Sequence, residues 1–448
     1  TGCTDVPSST SDLQPSYAEH DLQGTPLGKL AVNLSAQRPR DESGFLLLDR
    51  GRDALAWRLF MAERATHTID AQYFLWKNDR CGRRLIQALL DAAQRGVRVR
   101  MLIDDSMTES DPQYLATVGT HPNIQVRLYK PFGPKHNSFV FRWVDFAADF
   151  RLLNRRMHNK VYIADDSAVI IGGRNIGEDY FEYLGPDEFR SRDLLGVGPI
   201  TSEASRAFDM FWNSNWAVPI SMSVDPAPAA DAWQSAKQKL DEGGEDADNY
   251  PPGYHSIGEV DQAEELLQNG LQWGRSRLLY DTVPGENGEP QVPPDQDDRV
   301  GQKLHELAEE STQEIIAESA YLILARQTLN HLQRLKERGV QARFLTNSLA
   351  ANNHITAFVG YRRQRKQQIQ VLTEVYEYRP DAATQTDLYP QLAPSRPGPH
   401  LGLHAKTSDF DRRVVFVGSF NLDPRSQNLN TEIGILVESA ELGQAVAN

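Results

Sequence analysis

The hydrophobic pattern along the chain repeats one order of predicted elements. In the first half, residues 69–76 have the apolar pattern of a strand, residues 85–93 have an apolar helical face, and residues 97–103 predict a second strand. Gly96 lies between this helix and the second strand, at a position where glycine commonly ends a helix. The first half therefore predicts a strand–helix–strand unit.

The second half repeats this unit. Residues 315–323 predict a strand, residues 329–335 carry leucines at helical spacing, and residues 340–345 predict the next strand. Gly339 ends the predicted helix, as Gly96 does in the first half. We therefore expect an α/β fold of two α/β/α lobes that are related by a pseudo-two-fold axis, each with a mostly parallel sheet.

Composition along the chain suggests where the two lobes begin and end. Residues 1–44 are polar and rich in Ser, Pro and Gln, which predicts a flexible N-terminal tether. Residues 45–215 form the first predicted lobe and residues 261–448 the second. Residues 216–260 contain a cluster of Pro and Gly and form the predicted linker.

One sequence motif occurs once in each predicted lobe, with the same spacing in both copies. The first copy consists of His158, Lys160, Asp165, Gly172, Gly173 and Asn175, and the second of His404, Lys406, Asp411, Gly418, Ser419 and Asn421. In each copy a predicted β-hairpin follows the lysine. A strand has a side-chain period of two, so the histidine and the lysine of each copy share one face. Asp165 and Asp411 fall in the hairpin turns, where aspartate often has a conformational role, and we expect them to support the site.

These residue types fit the transfer of a phosphoryl group. The lysines and asparagines can hold the equatorial oxygens of a phosphodiester. One imidazole can attack the phosphorus while the other moves a proton. Because each half carries half of such a site, we expect His158 and His404 to face one common pocket.

The composition argues against several classes of function. The formal net charge is −14, so binding of nucleic acid is not expected. No apolar run approaches the roughly 18 residues of a spanning helix. The chain has two cysteines, which excludes a disulfide framework or a thiolate zinc cluster. No group of His, Asp and Glu has metal-ligand spacing outside the motif, so we expect no metal and no cofactor.

The repeated motif resembles that of the phospholipase D superfamily, from Phe45 to the end of the chain. Residues 71–76, 153–160, 345–352 and 418–426 resemble bacterial cardiolipin synthases of the C type. The resemblance implies the bilobal phospholipase D fold and a metal-free phosphatidyl transfer through a covalent phosphohistidine.

The family also suggests roles for individual residues. By this analogy His158 attacks the phosphorus, while His404 protonates the leaving alcohol and deprotonates the acceptor. In the family an acid after each motif fixes the tautomer of a catalytic histidine. Glu432 matches that pattern, and Asp193 is the candidate after the first motif, although it is displaced by a longer insert. Residues expected to hold the phosphoryl oxygens are Lys160, Lys406, Asn175 and Asn421.

The resemblance implies phospholipid substrates, with phosphatidylglycerol and phosphatidylethanolamine as the expected pair, and leaves the need for a helper protein open. A phospholipase D that hydrolyses phospholipids to phosphatidic acid would use the same residues with water as acceptor. A superfamily nuclease fits the net charge of −14 poorly. A non-catalytic scaffold would not need both histidines and both lysines.

Two segments suggest where the protein acts. Thr1, Gly2 and Cys3 resemble the end of a bacterial lipoprotein signal, which predicts a lipid anchor on Cys3 at the periplasmic side of the cell envelope. Residues 139–146 contain four aromatic side chains, which could contact a membrane surface or pack in the core.

Overall fold

The computed structural model describes residues 13–105, 111–130, 155–224, 228–242, 250–284, 299–352, 355–381 and 400–447. Cys3 and the aromatic residues 139–146 lie outside these ranges.

The described residues alternate between helices and strands. The α-helices are α1 Pro26–Ser35, α2 Gly51–Arg64, α3 Arg80–Gln94, α4 Pro112–Val118, α5 Ile200–Trp212, α6 Ala232–Glu242, α7 Val260–Gly270, α8 Val300–Glu310, α9 Arg326–Glu337, α10 Ile355–Val371, α11 Pro424–Asn428 and α12 Ala440–Ala447. The strands of the first half are β1 Glu42–Leu48, β2 Thr68–Tyr73, β3 Arg98–Asp104, β4 Ile124–Tyr129, β5 Val161–Ala164, β6 Ala168–Gly172, β7 Asp187–Arg190, β8 Asp193–Val197 and β9 Ala217–Pro219. The strands of the second half are β10 Gln272–Tyr280, β11 Glu314–Ser319, β12 Gln341–Asn347, β13 Glu374–Tyr378, β14 His400–Leu403, β15 Lys406–Phe410, β16 Val414–Gly418 and β17 Ile433–Glu438.

Local sequence explains the ends of the repeated helices. Asp79 caps the N-terminus of α3, where its side chain accepts a hydrogen bond from Gly82 N at 2.9 Å. Gly96 and Gly339 follow α3 and α9 with φ angles of 98° and 86°, a left-handed conformation that glycine adopts at low cost. The predicted ends of these two helices are confirmed.

One 15-stranded sheet joins the two halves, with the strand order β13-β12-β11-β15-β16-β17-β10-β1-β8-β6-β5-β2-β3-β4-β9. Seven strands of each half follow the same order outward from the antiparallel pair of β1 and β10, and β9 is an additional edge strand of the first half. The predicted α/β fold with a pseudo-two-fold relation is therefore confirmed.

The prediction of mostly parallel sheets was wrong. Of the fourteen neighbouring pairs in the large sheet, four are parallel and ten are antiparallel. The parallel pairs join β2–β3–β4 and β11–β12–β13, where helices supply the crossovers. The motif hairpins β5–β6 and β15–β16 have short turns, which permit only antiparallel pairing.

The N-terminal residues differ from the predicted flexible tether. Helix α1 buries Leu27, Leu30 and Leu34 in the core of the first half. Upstream of α1, Arg100 donates a 2.7 Å hydrogen bond to the carbonyl of Ser16. The overall composition of residues 1–44 is polar, so the helical spacing of Leu27, Leu30 and Leu34 was not recognised from the sequence. From residue 26 onward the segment is therefore part of the folded domain.

The predicted linker also contains regular structure. Strand β9 pairs with β4 at the edge of the sheet. In α6, Trp233 N donates a 3.0 Å hydrogen bond to the hydroxyl of Thr120. The boundaries of the two lobes otherwise stay a prediction. Among the described residues, no helix is both long and apolar enough to cross a membrane.

The core between the halves holds the two motif hairpins together. Val161 and Ile171 of the first hairpin share one buried apolar cluster with Val417 of the second and with Ile433 and Ile435 of β17. The packing therefore brings both copies of the motif to the same part of the molecule.

Candidate active site

The backbone positions each motif histidine against the opposite half of the chain. His158 N donates to the carbonyl of Thr431 at 2.9 Å, and His404 N donates to the carbonyl of Arg190 at 2.6 Å. The two bonds are equivalent under the pseudo-two-fold relation. Each half therefore completes the surroundings of the other half's histidine.

The two histidines and two lysines form one buried cluster of ionisable groups. His158 and His404 are 8% and 7% exposed, and both lysines are 1% exposed. Each lysine Nζ donates a 2.6 Å hydrogen bond to the carbonyl of the histidine two residues before it. Lys406, Lys160 and His158 are each close enough to lower the pKa of His404, because protonated neighbours repel a second positive charge. The structure thus brings the two motifs together in one site.

Glu432 lies against the imidazole of His158, as the sequence predicted. Its Oε2 is 2.8 Å from His158 Nδ1, and the Ser419 hydroxyl donates to the same oxygen at 2.5 Å. The backbone N of Glu432 donates to Asp281 Oδ2 at 2.9 Å. Because Glu432 engages Nδ1, the Nε2 atom of His158 remains for the substrate.

Burial and mutual repulsion lower the pKa values of the four cationic groups. Burial lowers the pKa of His158 to about 4, although the Glu432 carboxylate opposes this effect. Burial likewise lowers the pKa of Lys160 to about 7. The pKa values of His404 and Lys406 lie well below their ordinary values, because both side chains are buried and Lys160 is close to both. A bound phosphate would favour the protonated forms of these groups.

Asp193 does not contact the imidazole of His404, which contradicts its predicted role. Its carboxylate lies 2.9 Å from Arg58 Nη2 and 3.4 Å from Arg174 Nη1. Asp193 is fully buried, and these two guanidinium groups neutralise it. It therefore stabilises the packing of the first half behind the motif.

The pseudo-two-fold relation places Ser191 at the position equivalent to Glu432. Thr431 and Arg190 make equivalent backbone bonds to the two histidines, and Ser191 follows Arg190 as Glu432 follows Thr431. The Ser191 hydroxyl donates to the carbonyl of His404 at 3.4 Å. His404 Nδ1 is buried and has no side-chain partner in the described part of the chain, although the backbone of Gly173 lies close enough to raise the pKa of the imidazole slightly against burial. The two imidazoles therefore have different surroundings in an otherwise symmetric site.

The two motif asparagines are buried. Asn175 Nδ2 donates to the hydroxyl of Tyr180 at 3.1 Å, and Asn421 N donates to Ser426 Oγ at 3.2 Å. The Oδ1 atoms of both asparagines are buried and have no partner among the described residues. Buried polar atoms are normally paired, so these amide groups are available to a polar ligand.

The motif aspartates bind backbone amides in their own halves. The Asp165 carboxylate accepts hydrogen bonds of 2.9 Å from the backbone N atoms of residues 66–68. The Asp411 carboxylate accepts equivalent bonds from residues 312–314, at 2.8–2.9 Å. Both residues have positive φ angles, 49° and 57°, in their hairpin turns. The geometry fits the expected supporting role.

Aromatic residues that the sequence analysis did not single out pack on the imidazoles. The ring of Phe74 lies 5.0 Å from that of His158, edge to face. The rings of Tyr180 and Phe189 lie 5.1 Å and 5.7 Å from that of His404. These rings help to exclude water from the site. Phe74 belongs to the repeated strand segment, but no sequence signal distinguishes Tyr180 or Phe189.

A group of potential metal ligands lies outside the two motifs. His305, Glu309 and His331 bring their ligand atoms within 4.8 Å of one another. Sequence spacing did not reveal this group, because His331 comes from a different helix and joins the other two through folding.

Comparisons with known proteins agree with this site. A family model described as "Cardiolipin synthase, PLD-like domain" matches residues 60–186 and 304–448. Cardiolipin synthase C of Escherichia coli is 33% identical over 94% of this chain and 86% of its own length. Cardiolipin synthase B of Escherichia coli is 23% identical over 91% of this chain and 79% of its own length.

A solved structure has the same fold. The phosphatidylserine synthase of Haemophilus influenzae has a TM-score of 0.60 and 13% sequence identity, and the match covers 94% of this chain and 88% of that protein. Together with the family model and the similarity to cardiolipin synthase C, this match agrees with the paired motifs and the mirrored sheet. The chain belongs to the cardiolipin synthase family of the phospholipase D superfamily and is an enzyme of that superfamily.

Proposed function

We propose that this protein is a cardiolipin synthase that transfers a phosphatidyl group between phospholipids through a covalent phosphohistidine on His158. One observation carries the proposal: two buried histidines share one site, and only His158 has a carboxylate on Nδ1. A carboxylate on Nδ1 keeps the proton there and leaves the Nε2 lone pair free to attack.

The proposed first half-reaction forms the phosphohistidine. The Nε2 atom of His158 forms a bond to the donor phosphorus as the bond from phosphorus to the head-group oxygen breaks. His404, protonated while the anionic phosphodiester is bound, gives its proton to the departing oxygen. Lys160 and Lys406 neutralise the phosphoryl oxygens, which carry the charge of the transition state.

The second half-reaction releases the phosphatidyl group. His404, now neutral, takes the proton of an acceptor hydroxyl, and the oxygen attacks the phosphorus as the bond to His158 breaks. With the glycerol hydroxyl of phosphatidylglycerol as acceptor, the product is cardiolipin. With water as acceptor, the product is phosphatidic acid. The buried histidines and their aromatic neighbours favour an acceptor other than bulk water.

We further propose that the enzyme acts on the periplasmic membrane surface and is anchored through a lipid on Cys3. The sequence before residue 4 supports this proposal. If the protein is expressed with a leader, labelled fatty acid should enter the wild type and not the Cys3→Ala variant. Labelling of both would contradict the anchor at this residue.

Product analysis tests the function. Purified protein is incubated with vesicles of labelled phosphatidylglycerol, with and without phosphatidylethanolamine, and lipids and released head groups are identified by mass spectrometry. We expect cardiolipin, with release of ethanolamine if phosphatidylethanolamine is the donor and of glycerol if phosphatidylglycerol is the donor. Phosphatidic acid as the main product would favour the hydrolase.

The matched control variants are His158→Ala and His404→Ala, each quenched to trap phosphate on histidine. His158→Ala should form neither product nor adduct. His404→Ala should still form the adduct from a substrate with a nitrophenolate leaving group, which departs without a proton. An adduct on His404 in the His158→Ala protein would reverse the two roles.

A further inference from the structure

Two histidines and one glutamate meet between helices α8 and α9, away from the two motifs. His305 and Glu309 lie one turn apart on α8, and His331 lies on α9. His331 Nδ1 lies 3.4 Å from His305 Nε2 and 3.4 Å from Glu309 Oε1. His305 Nε2 lies 3.5 Å from the same glutamate oxygen. The three ligand atoms therefore form a nearly equilateral triangle.

The size of this triangle fits a tetrahedral metal ion. Zinc binds histidine nitrogen and carboxylate oxygen at about 2.0–2.2 Å, so two ligand atoms of a tetrahedral site lie about 3.4 Å apart. The measured edges of 3.4 Å and 3.5 Å agree with this separation. Two imidazoles and one carboxylate are also a ligand set that zinc uses.

The exposure of the three side chains suits a metal ion. The side chain of His331 is 3% exposed, so one ligand is held in the protein interior. The side chains of His305 and Glu309 are 48% and 52% exposed, which gives an ion a path from solvent.

We propose that His305, Glu309 and His331 bind one zinc ion, which ties α8 to α9 and keeps a fourth coordination position open. This binding site is separate from the histidines of the two motifs. It does not depend on the proposed function.

The packing of the second half gives such an ion a structural role. Helix α8 buries two of its residues, Val300 and Leu304, whereas the equivalent α2 buries ten. A cavity of about 640 Å³ lies between α8, α9 and the sheet, and both His305 and His331 line it. In the first half, the side chain of Arg58 ties the equivalent helix α2 to the sheet, because it donates hydrogen bonds to Tyr73 and Asp193. Helix α8 has fewer buried side chains than α2, so a metal ion between α8 and α9 would add a connection that packing does not supply.

Arg334 competes with the metal for the carboxylate. Its Nη2 atom lies 3.7 Å from Glu309 Oε1, and its side chain is 62% exposed. An exposed arginine can move into solvent when a cation binds, at a cost in affinity. Replacing Arg334 by glutamine should therefore tighten zinc binding severalfold.

Calorimetry on untagged, chelator-treated protein tests the site with zinc chloride as the titrant. We expect one zinc ion per chain and a rise in the unfolding temperature on binding. His305→Ala and Glu309→Gln should each weaken zinc binding by more than about tenfold. Removing a residue that merely hydrogen-bonds a metal ligand already lowers metal affinity by about 10–100-fold, and these variants remove a ligand itself. Cobalt in place of zinc should give the visible absorption bands of a tetrahedral site.

Two control variants separate this site from other histidines. His255→Ala changes an exposed histidine outside the cluster and should bind zinc like the wild type. His404→Ala should also retain the binding, which excludes the catalytic pair as the zinc site. Equal affinity in wild type, His305→Ala and Glu309→Gln would overturn the proposal, and so would weaker binding in Arg334→Gln.

Discussion

At the scale of single residues, the two motif histidines differ although the fold around them is symmetric. Glu432 holds His158, whereas the equivalent position beside His404 is Ser191. In the mechanism that we propose, the carboxylate fixes the tautomer of His158 and stabilises the charge that develops when its Nε2 becomes bonded to phosphorus. Ser191 gives His404 no such support, which suits the proposed role of His404 in both giving and taking a proton.

The first prediction concerns these two equivalent positions. Glu432→Gln should lower kcat/KM for phosphatidyl transfer by about 10³–10⁴-fold, as loss of the carboxylate behind a catalytic histidine does in serine proteases. The measurement is transfer to a soluble acceptor together with the rate at which the His158 adduct forms.

Ser191→Ala is the matched control and should change kcat/KM little, because among the described residues its hydroxyl donates to the backbone carbonyl of His404 and not to the imidazole. Similar losses in Glu432→Gln and Ser191→Ala would contradict the assignment of His158 as nucleophile.

The sequence could predict the motif residues because their spacing is repeated. It could not show that Ser191, rather than Asp193, lies beside His404. Asp193 is the first residue of β8 and Ser191 lies two residues before it, so an extended chain places both side chains on the same face. The difference depends on a backbone bond between halves, from His404 to Arg190. It also depends on the two arginines that neutralise Asp193. Neither contact leaves a pattern in a single sequence.

At the scale of elements, each motif hairpin is tied to the start of the neighbouring strand by its aspartate. Asp411 in the β15–β16 turn accepts three backbone N–H groups from residues 312–314, at the start of β11. These bonds hold the pKa of Asp411 below its usual value, although partial burial raises it. The contribution to stability is therefore present above the unfolded pKa of about 3.9 and is lost as the pH falls through the lower folded pKa.

The second prediction follows from this connection. Asp411→Asn keeps a residue that tolerates positive φ but removes the charge and one acceptor oxygen. The free energy of unfolding at pH 7 should fall by roughly 1–3 kcal/mol, as measured by denaturant titration. Transfer activity of the folded fraction should stay near that of the wild type. A large loss of kcat with unchanged stability would instead mean that Asp411 acts in the chemistry.

The order of elements was predictable, and their pairing was less so. The strand–helix–strand units and their terminal glycines follow from periodicity and local conformation. The antiparallel majority arises where the motif hairpins enter the sheet between β2 and β8 and between β11 and β17. Apolar runs do not reveal strand direction, since a strand buried on both faces has the same pattern in either direction.

At the scale of the whole molecule, one sheet and one shared core make the site depend on both halves. His158 comes from the first half and its partner Glu432 from the second. The repeated motif predicted that the two halves share one site. The group of His305, Glu309 and His331 could not be predicted in the same way, because it forms only when α8 packs on α9. The motif site and this group should respond differently when divalent ions are removed.

The third prediction is that chelation affects stability and not chemistry. EDTA should lower the unfolding temperature of zinc-loaded protein, since the ion binds only the folded chain. Phosphatidyl transfer below that temperature should continue, because the histidines and lysines supply nucleophile, proton and charge. The control is the His305→Ala variant, whose unfolding temperature should not respond to EDTA. If EDTA abolished phosphatidyl transfer by His305→Ala and a divalent ion restored it, the two-histidine mechanism would be contradicted.

The fourth prediction concerns protons taken up with substrate. Burial holds the pKa of Lys160 at about 7, so Lys160 is largely neutral at pH 8 in the protein alone. Burial and the nearby Lys160 hold the pKa of Lys406 well below its ordinary value. A phosphodiester brings a permanent negative charge into the same buried space and raises these pKa values towards the value of about 10.4 for lysine in water. Binding at pH 8 should therefore take up protons, on the order of one per site.

The probe for this prediction is dimethyl phosphate, which stays a monoanion across the range from pH 6 to pH 9. Calorimetry in buffers of different ionisation enthalpy gives the number of protons taken up. The uptake should shrink as the pH falls below about 7, where Lys160 is already protonated before binding. Lys160→Met removes one of the titrating groups and should reduce the uptake at pH 8, whereas Asp411→Asn should not. Binding with the same apparent enthalpy in every buffer at pH 8 would mean that the lysines are charged before the phosphate arrives.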